Sequence, residues 1–293
     1  MPAARIILLT VIAMIAFASN SLLCRVALKH TAIDPASFTT VRLVSGALAL
    51  WLIVRLRASG APVSLSGRGN WPSALALYAY AAGFSFAYVN LPAASGALLL
   101  FGAVQATMIG RGIAAGERLA PRQLAGLLLA LAGLVGMLLP GLTAPPLAGA
   151  LLMMGAGVAW GIYSLRGKGA RDATGVTAGN FVRAAPIAVA MSAAIALAGS
   201  DGVTADGVGL VYAVASGALT SGIGYALWYA VLPSLRATSA ATVQLSVPVI
   251  AALGGVAFLG EALTLRLVLA SAAILGGIAL VILQKRAGTA PQR

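Results

Sequence analysis

The chain has 293 residues, of which 60% are hydrophobic and only 9% are charged, and its mean hydropathy is +0.99. A soluble globular protein carries roughly 25% charged residues, so this composition excludes a soluble fold and predicts a chain whose solvent is lipid. The net charge of +13 would suit a nucleic-acid partner, but the distribution of the basic residues argues against one.

Ten apolar stretches follow one another along the chain, and each is long enough to cross a bilayer core of about 30 Å as a helix of roughly 20 residues. They cover residues 5–28, 35–56, 72–90, 92–112, 121–139, 146–165, 174–198, 207–230, 235–258 and 264–284. The polar gaps between them are too short for a soluble domain. We therefore predict an all-α integral membrane protein with ten transmembrane helices.

The basic residues predict the orientation of these helices. If the N-terminus is cytoplasmic, all but five of the 19 Lys and Arg residues fall at cytoplasmic ends of the spans. The exceptions are Arg25, Lys29 and Arg266 outside, and Arg42 and Arg183 within spans. Cytoplasmic loops are enriched in Lys and Arg, so we predict that both termini are cytoplasmic and that no nucleic acid binds.

A polar island of one pattern occurs twice, as GERLAPR from Gly116 and as GEALTLR from Gly260. Residues 93–139 align with 237–283 without a gap, and further upstream Val41-Arg42 aligns with Val182-Arg183. We predict two diverged copies of a five-helix unit, residues 1–143 and 144–286, followed by a cytoplasmic tail at 287–293. Because five is odd, the second copy enters the membrane from the opposite side and is inverted.

Inverted repeats are typical of secondary transporters with a binding site near the bilayer midplane. Within each island, Glu117 and Glu261 directly precede the last helix of their repeat. We interpret them as hairpin caps, because a carboxylate stabilises the positive end of a helix dipole. A role in binding a coupling ion is the alternative for both.

Three features together resemble the drug/metabolite transporter superfamily, EamA type. They are the inverted repeat, the Gly116-Glu117 and Gly260-Glu261 islands, and the sequence Ala159-Trp160-Gly161. The resemblance covers nearly the whole chain. It implies export of amino acids, other small metabolites or drugs, and one branch of the family exports aromatic amino acids. The first span departs from the pattern, since Phe17-Ala18-Ser19 lacks the Trp common in relatives.

Polar and aromatic side chains deep in the spans are the candidates for substrate binding, since a polar group in lipid is costly and faces a cavity or another helix. These candidates are Asn20, Tyr78, Gln105, Trp160, Tyr163, Ser221, Tyr225 and Gln244. Hydrogen bonding between helices is the alternative for the polar ones. Trp228 and Tyr229, near a span end, fit an interfacial aromatic belt better.

Two arginines lie inside spans at equivalent repeat positions, Arg42 and Arg183. Each could pair with a substrate carboxylate or gate the pathway, or its side chain could extend to the headgroups. No Asp or Glu lies inside a span, which disfavours ion coupling through a carboxylate. Facilitated diffusion or exchange is favoured, with a proton relay through polar side chains left open.

We therefore predict a secondary transporter of the bacterial inner membrane that moves small amphipathic metabolites, most plausibly amino acids, by alternating access. Drug or metabolite efflux by proton antiport is the alternative. An intramembrane enzyme is disfavoured, because His30 is the only histidine and no Lys lies in a span. The sequence predicts no cofactor and no metal, and the small-residue seam at Gly126, Ala130 and Gly133 fits either a monomer or a homodimer.

Overall fold

The computed structural model describes residues 1–57, 68–91, 93–116, 119–138, 146–167, 169–198, 204–235, 237–259 and 265–282. Every regular element in these ranges is a helix, which confirms the predicted all-α class. The predicted hairpin caps Glu117 and Glu261 lie outside the described residues. Gly116, just before the first cap, has a φ of 86°, a conformation that favours glycine and suits the expected tight turn.

The first half of the chain contains five helical segments. They are α1 (Ala3–His30), α2 (Pro35–Arg57), α3 (Trp71–Tyr88), α4 (Ala93–Ala114) and α5 (Pro121–Leu138). Each lies within a few residues of one of the apolar stretches identified in the sequence. Side-chain caps account for some of the boundaries: Asn70, before α3, accepts a hydrogen bond from the Ser73 N–H at 2.9 Å.

The second half contains the corresponding five segments, two of which are irregular. They are α6 (Leu147–Gly167), α7 (Ala173–Leu197), α8 (Gly207–Ser234), α9 in two pieces (Ala237–Gln244 and Ser246–Leu259) and α10 (Leu265–Ile282). By length and composition, α1, α2, α6, α7 and α8 can cross a membrane, and shorter apolar helical stretches lie in α4, α9 and α10. The protein is accordingly a multi-pass membrane protein.

Neither α8 nor α9 is a continuous α-helix. In α8, residues Ser216–Ile223 form a π-helical segment, a rare conformation that is frequent at functional sites. In α9, the helix is interrupted at Leu245. Pro248 follows Gln244 by four residues and cannot donate a hydrogen bond to its carbonyl, which explains a break at this point.

Helices at equivalent positions of the two halves pack against each other: α2 against α7, and α5 against α10. Other large contacts pair α8 with α1 and α2, and α6 with α3 and α4. In the α5–α10 contact, a Cβ on Gly277 would lie 2.5 Å from the Gly126 carbonyl oxygen and 2.7 Å from the Ala130 nitrogen. The small residues of α5 therefore serve close packing within the chain.

Candidate functional site

A group of buried polar side chains lies where α1, α2 and α3 of the first half meet α8 of the second half. We call it the central cluster, and it consists of Asn20, Arg42, Tyr80, Ser216, Thr220, Ser221 and Tyr225. Of the residues predicted from the sequence, it brings together Asn20, Arg42, Ser221 and Tyr225. Its members are hydrogen-bonded to one another, as buried polar groups must be to offset the loss of water.

Arg42 is the centre of this cluster, and its side chain is only 1% exposed. Its Nε donates to the Ser221 hydroxyl at 2.9 Å. Its Nη2 donates to the hydroxyl of Tyr225 at 2.7 Å and to that of Tyr80 at 3.3 Å. Arginine stays charged in proteins, so three neutral hydroxyl groups solvate a cation inside an apolar chain.

The remaining nitrogen of this guanidinium, Nη1, is buried and has no hydrogen-bond partner among the described residues. The guanidinium carbon lies 5.2 Å from the centre of the Tyr80 ring and 5.4 Å from that of Phe84. Contacts of this kind attract a cation to the ring face, but they do not neutralise its charge. Arg42 thus keeps one unbonded nitrogen, with two N–H donors, and a full positive charge.

The acidic residues of the described chain are all engaged elsewhere. Asp34 accepts from the Ala36 and Ser37 N–H groups at 2.8 and 2.9 Å, and Asp172 and Asp206 cap α7 and α8. Asp34 precedes Arg42 by eight residues, which is about 12 Å along a helix. The charge of Arg42 is therefore not balanced by a carboxylate in the described part of the protein.

Asn20 extends the central cluster from α1 to the π-helical segment of α8. The Ser216 hydroxyl donates to Asn20 Oδ1 at 2.6 Å, and the Thr220 hydroxyl lies 3.2 Å from the same oxygen. On its other side, Asn20 Nδ2 lies 3.5 Å from the Tyr80 hydroxyl. Asn20 thus connects α8 with α3 through side chains alone.

The π-helical segment explains how one helix supplies so many members of the cluster. Its wider turn carries Ser216, Thr220 and Ser221 on one buried face. Gly217 brings this segment against α2, since a Cβ there would collide with the Arg42 carbonyl and the Ser45 hydroxyl. Close backbone approach, which glycine permits, therefore brings Arg42 within reach of Ser221.

A second buried pair joins α6 to α9 and also consists of predicted site residues. The Trp160 Nε1 donates to Gln244 Oε1 at 2.7 Å. Gln244 Nε2 lies 3.1 Å from the Ala240 carbonyl and 3.3 Å from the Met108 sulfur. Gln105, another predicted residue, is buried one turn before Met108 on α4.

Aromatic rings connect this pair to the central cluster. The Trp160 ring centre lies 4.6 Å from that of Tyr225, 5.0 Å from that of Tyr80 and 5.2 Å from that of Phe17. Tyr163, predicted as a pocket residue, packs behind them with its centre 5.8 Å from that of Trp160. The cationic centre is therefore bordered on this side by an aromatic surface, which we call the aromatic wall: Phe17, Tyr80, Trp160 and Tyr225.

The structure separates two predicted residues from this centre. Tyr78 is half-buried, and its hydroxyl contacts the Met191 sulfur on α7 at 3.0 Å. Arg183 is half-buried as well, and its Nη1 donates to the carbonyls of Arg68 and Gly179 at 2.6 and 2.8 Å. Both residues instead contribute to contacts of α7 with its neighbours.

Two aromatic residues expected at the membrane interface are buried instead. Trp228 is 0% exposed and Tyr229 is 3% exposed, and the Tyr229 hydroxyl donates to the Tyr163 carbonyl at 2.9 Å. Proximity to a span end was the wrong criterion for them, because α8 is enclosed by its neighbours up to that end. Trp71, at 57% exposure, has the accessibility that an interfacial belt requires.

Tyr80, Ser216, Thr220 and Phe17 also belong to the site, although they are not among the eight substrate-binding candidates given above. For Tyr80 a signal was present: Leu77, Tyr80, Ala81 and Phe84 form a buried stripe at helical spacing. Tyr78 is off this stripe. Ser216 and Thr220 are four residues apart and share a face in any α-helix, whereas the π-helical turn adds Ser221 to that face.

A helical, apolar chain with a buried polar centre between its halves defines a polytopic membrane protein with an internal site, the class to which transporters belong. Residues 147–283 match the EamA-like transporter family. The second half of the chain therefore resembles an EamA-like transporter domain, which supports a membrane transporter of the drug/metabolite type. The match also supports the superfamily inferred from the sequence.

Two further similarities extend over nearly the whole chain. Uncharacterized protein PA1977 of Pseudomonas aeruginosa is 56% identical over 282 residues, which are 96% of each chain. A solved structure described as "Crystal structure of protein" aligns with a TM-score of 0.79 and 23% identity, over 98% of this chain and 100% of that one. At this identity the structural similarity shows the fold alone.

Proposed function

We propose that the protein is a secondary transporter that moves small amphipathic metabolites across the bacterial inner membrane by alternating access, in export or exchange. Amino acids, aromatic ones included, are the first candidates. One observation carries the proposal: the central cluster joins side chains of α1, α2 and α3 to side chains of α8 deep in an apolar chain. A polar site between the two halves is what alternating access requires.

The packing of the helices supports an inverted repeat with ten membrane crossings. Two-fold related copies must pair equivalent helices with each other, and α2 with α7 and α5 with α10 are such pairs. The contacts of α1 with α8 and of α3 with α6 exchange under the same relation, since α6 and α8 follow α1 and α3 by five helices. With this topology both termini are cytoplasmic, as the basic residues indicate.

The hydrogen bonds across the halves suit a site that opens alternately to either side. Those of Arg42 to Ser221 and Tyr225 are between side chains, so relative movement of the helices can exchange them without breaking backbone bonds. A substrate with polar groups can take over the released donors. Exchange is favoured over ion coupling, because the acidic residues in the described part cap helix ends rather than line this centre.

The proposal is tested by uptake into proteoliposomes that contain the purified full-length protein. The panel comprises aromatic, aliphatic and cationic amino acids, each with and without a pH gradient and with and without substrate inside the vesicles. We expect saturable flux of at least one class, accelerated by internal substrate. Protein-free vesicles are the control. Absence of flux for every compound contradicts the amino-acid assignment, and flux that strictly requires the pH gradient contradicts exchange.

The inverted topology has a separate test. Single cysteines are introduced at Arg118 and Ala262, next to the two hairpin caps, in a Cys24→Ala background. A membrane-impermeant thiol reagent added to intact cells should label the cysteine at 262 and reach that at 118 only after permeabilisation. Labelling of both from one side would overturn the inverted repeat.

A further inference from the structure

We propose that the central cluster is a carboxylate site, in which the Arg42 guanidinium binds a monocarboxylate whose apolar or aromatic body lies against the aromatic wall. The site recognises the carboxylate and does not require an ammonium group. Amino acids are accepted on this basis, and so are carboxylic acids of similar shape without an amino group. This inference rests on the proposed transport function and specifies its substrate class.

The first argument is charge. A buried ion is costly unless it is paired, and Arg42 has hydroxyl partners but no carboxylate partner among the described residues. One bound carboxylate brings one negative charge and makes the site neutral. A phosphate monoester carries about 1.5 to 2 negative charges at neutral pH, so its binding would leave an excess of negative charge buried in the site. The charge balance therefore selects a monoanion.

The second argument is the set of available donors. Arg42 Nη1 is buried and unbonded, so it can donate to one carboxylate oxygen. Tyr225 and Tyr80 accept from Nη2 with their hydroxyl oxygens, and a hydroxyl that accepts still carries a proton to donate. A carboxylate beside Nη1 can thus receive charge-assisted hydrogen bonds, which are stronger than neutral ones.

The third argument concerns the rest of the substrate. The aromatic wall borders the guanidinium, with the Tyr80 ring centre 5.2 Å from the Arg42 guanidinium carbon and 5.0 Å from the Trp160 ring centre. Such a surface favours an apolar or aromatic body. Arginine itself repels a second cation, so an amine without a carboxylate has no favourable place here.

The fourth argument concerns the amide oxygens at the two ends of the hydrogen-bonded site. Asn20 Oδ1 already accepts from the Ser216 hydroxyl at 2.6 Å, and Gln244 Oε1 already accepts from the Trp160 indole at 2.7 Å. Three donors of an ammonium group would compete with these bonds. Recognition of the carboxylate alone explains the arrangement without breaking any of them.

The test is a binding series on the purified full-length protein, measured by calorimetry in detergent. The ligands are L-phenylalanine, 3-phenylpropionate, 2-phenylethylamine, L-phenylalaninamide and phenyl phosphate. We expect 3-phenylpropionate to bind within about threefold of L-phenylalanine. The amine and the amide should bind at least about 30-fold more weakly, because a buried charge left without its partner is strongly penalised. Phenyl phosphate should also bind more weakly than 3-phenylpropionate.

Two results with the unmodified protein would overturn the inference. One is binding of the amine or the amide as tight as that of the acids. The other is binding of L-phenylalanine but not of 3-phenylpropionate, which would make the ammonium group essential. Because this series needs no variant, misfolding does not affect it.

Variants identify the residue responsible. Arg42→Gln should bring the affinities of 3-phenylpropionate and 2-phenylethylamine within about threefold of each other, whereas Arg183→Gln should preserve the preference for the acid. Arg42→Lys keeps the positive charge but loses the paired nitrogens of the guanidinium. It should therefore still prefer 3-phenylpropionate to 2-phenylethylamine, but bind the acid more weakly. An unchanged preference in Arg42→Gln would refute the assignment.

The outcomes separate this inference from the transport proposal. Amino-acid flux in proteoliposomes together with an unchanged ligand preference in Arg42→Gln would leave transport standing and reject the carboxylate site. Selective binding of carboxylates without flux of any bound compound would instead contradict transport. The two experiments use the same purified protein, so these results are directly comparable.

Discussion

Arg42 and Arg183 align in the predicted internal repeat, but their described hydrogen-bond partners differ in kind. Arg42 is fully enclosed and donates only to side-chain hydroxyls, with one nitrogen left over. Arg183 is half-buried and donates to two backbone carbonyls, those of Arg68 and Gly179. The same residue type at the same repeat position therefore faces a potential ligand in one half and a loop in the other.

The surroundings of Arg183 differ from those of Arg42 because a loop lies against it. The chain before α3 lies against α7, where the Asn70 N–H donates to Asn180 Oδ1 at 2.9 Å. Gly69 allows this close approach with a φ of 74°, a conformation that favours glycine. Two backbone carbonyls accept from Arg183, and its side chain is partly exposed. The comparison teaches that arginines at matching positions of a predicted repeat can have different surroundings.

The largest expected difference between the two arginines is in transport. Arg42→Gln should lower the initial rate of substrate uptake in proteoliposomes by about 100-fold, since loss of a buried charge that pairs with a ligand costs 2–5 kcal/mol. Arg183→Gln should lower it by no more than about threefold, because it loses bonds that only anchor a loop. Equal effects of the two substitutions would remove the asymmetry on which this comparison depends.

The next effect concerns packing around Arg42. Gly217→Ala places a methyl group against the Arg42 carbonyl and the Ser45 hydroxyl. We expect a loss of about 1–3 kcal/mol in the free energy of unfolding, as for other overpacked positions, measured as a lower thermal midpoint in detergent. Gly102→Ala in α4 is the matched control, since nothing lies within 4 Å of a Cβ there. A neutral Gly217→Ala would show that the π-helical segment can move away from α2.

Smaller effects should rank the two tyrosines beside Arg42. Tyr225 accepts from Nη2 at 2.7 Å and Tyr80 at 3.3 Å, so the first bond is the stronger. Tyr225→Phe should weaken binding of the transported acid by about tenfold, within the range for hydrogen bonds to charged groups. Tyr80→Phe should weaken it by about threefold. The reverse order, measured by calorimetry, would indicate that Tyr80 is the main partner of the guanidinium.

The sequence predicted the helices well because hydrophobicity depends on local composition. Ten apolar stretches matched the segments from α1 to α10. The candidate site was predicted in part: Asn20, Arg42, Ser221 and Tyr225 did come together. The helical spacing in α3 already distinguished Tyr80 from Tyr78. What the sequence could not supply was the π-helical turn that brings Ser221 onto the face of Ser216 and Thr220.

The same limit applies to the two arginines. Their depth in the spans is similar and their repeat position is identical, so sequence reasoning gave both the same pair of roles. The difference arises from tertiary contacts: Gly217 lets α8 bring hydroxyl groups to Arg42, and Gly179 lets the Arg68 carbonyl approach Arg183. Close approaches at two glycines therefore set the different surroundings of the two arginines.

The smallest expected effect is at the loop that Arg183 anchors, where Arg68 and Asp172 form an ion pair at 3.0 Å. Both side chains are substantially exposed, at 40% and 53%, and such pairs contribute roughly 0–1 kcal/mol. Asp172 also caps α7 by accepting from the Gly175 N–H at 2.9 Å. Asp172→Asn removes the charge but keeps a cap of similar strength, so it should change the thermal midpoint very little.

Asp172→Ala removes the cap as well, so it should lower the free energy of unfolding by about 1 kcal/mol more than Asp172→Asn does. The difference between the two variants should persist in high salt, because a cap is a short-range hydrogen bond, whereas any effect of Asp172→Asn should fade as the exposed pair is screened. If Asp172→Asn alone lowered uptake as strongly as Arg42→Gln, the ion pair would take part in transport. The loop region would then be a second functional centre, and the two halves would be less different than their arginines indicate.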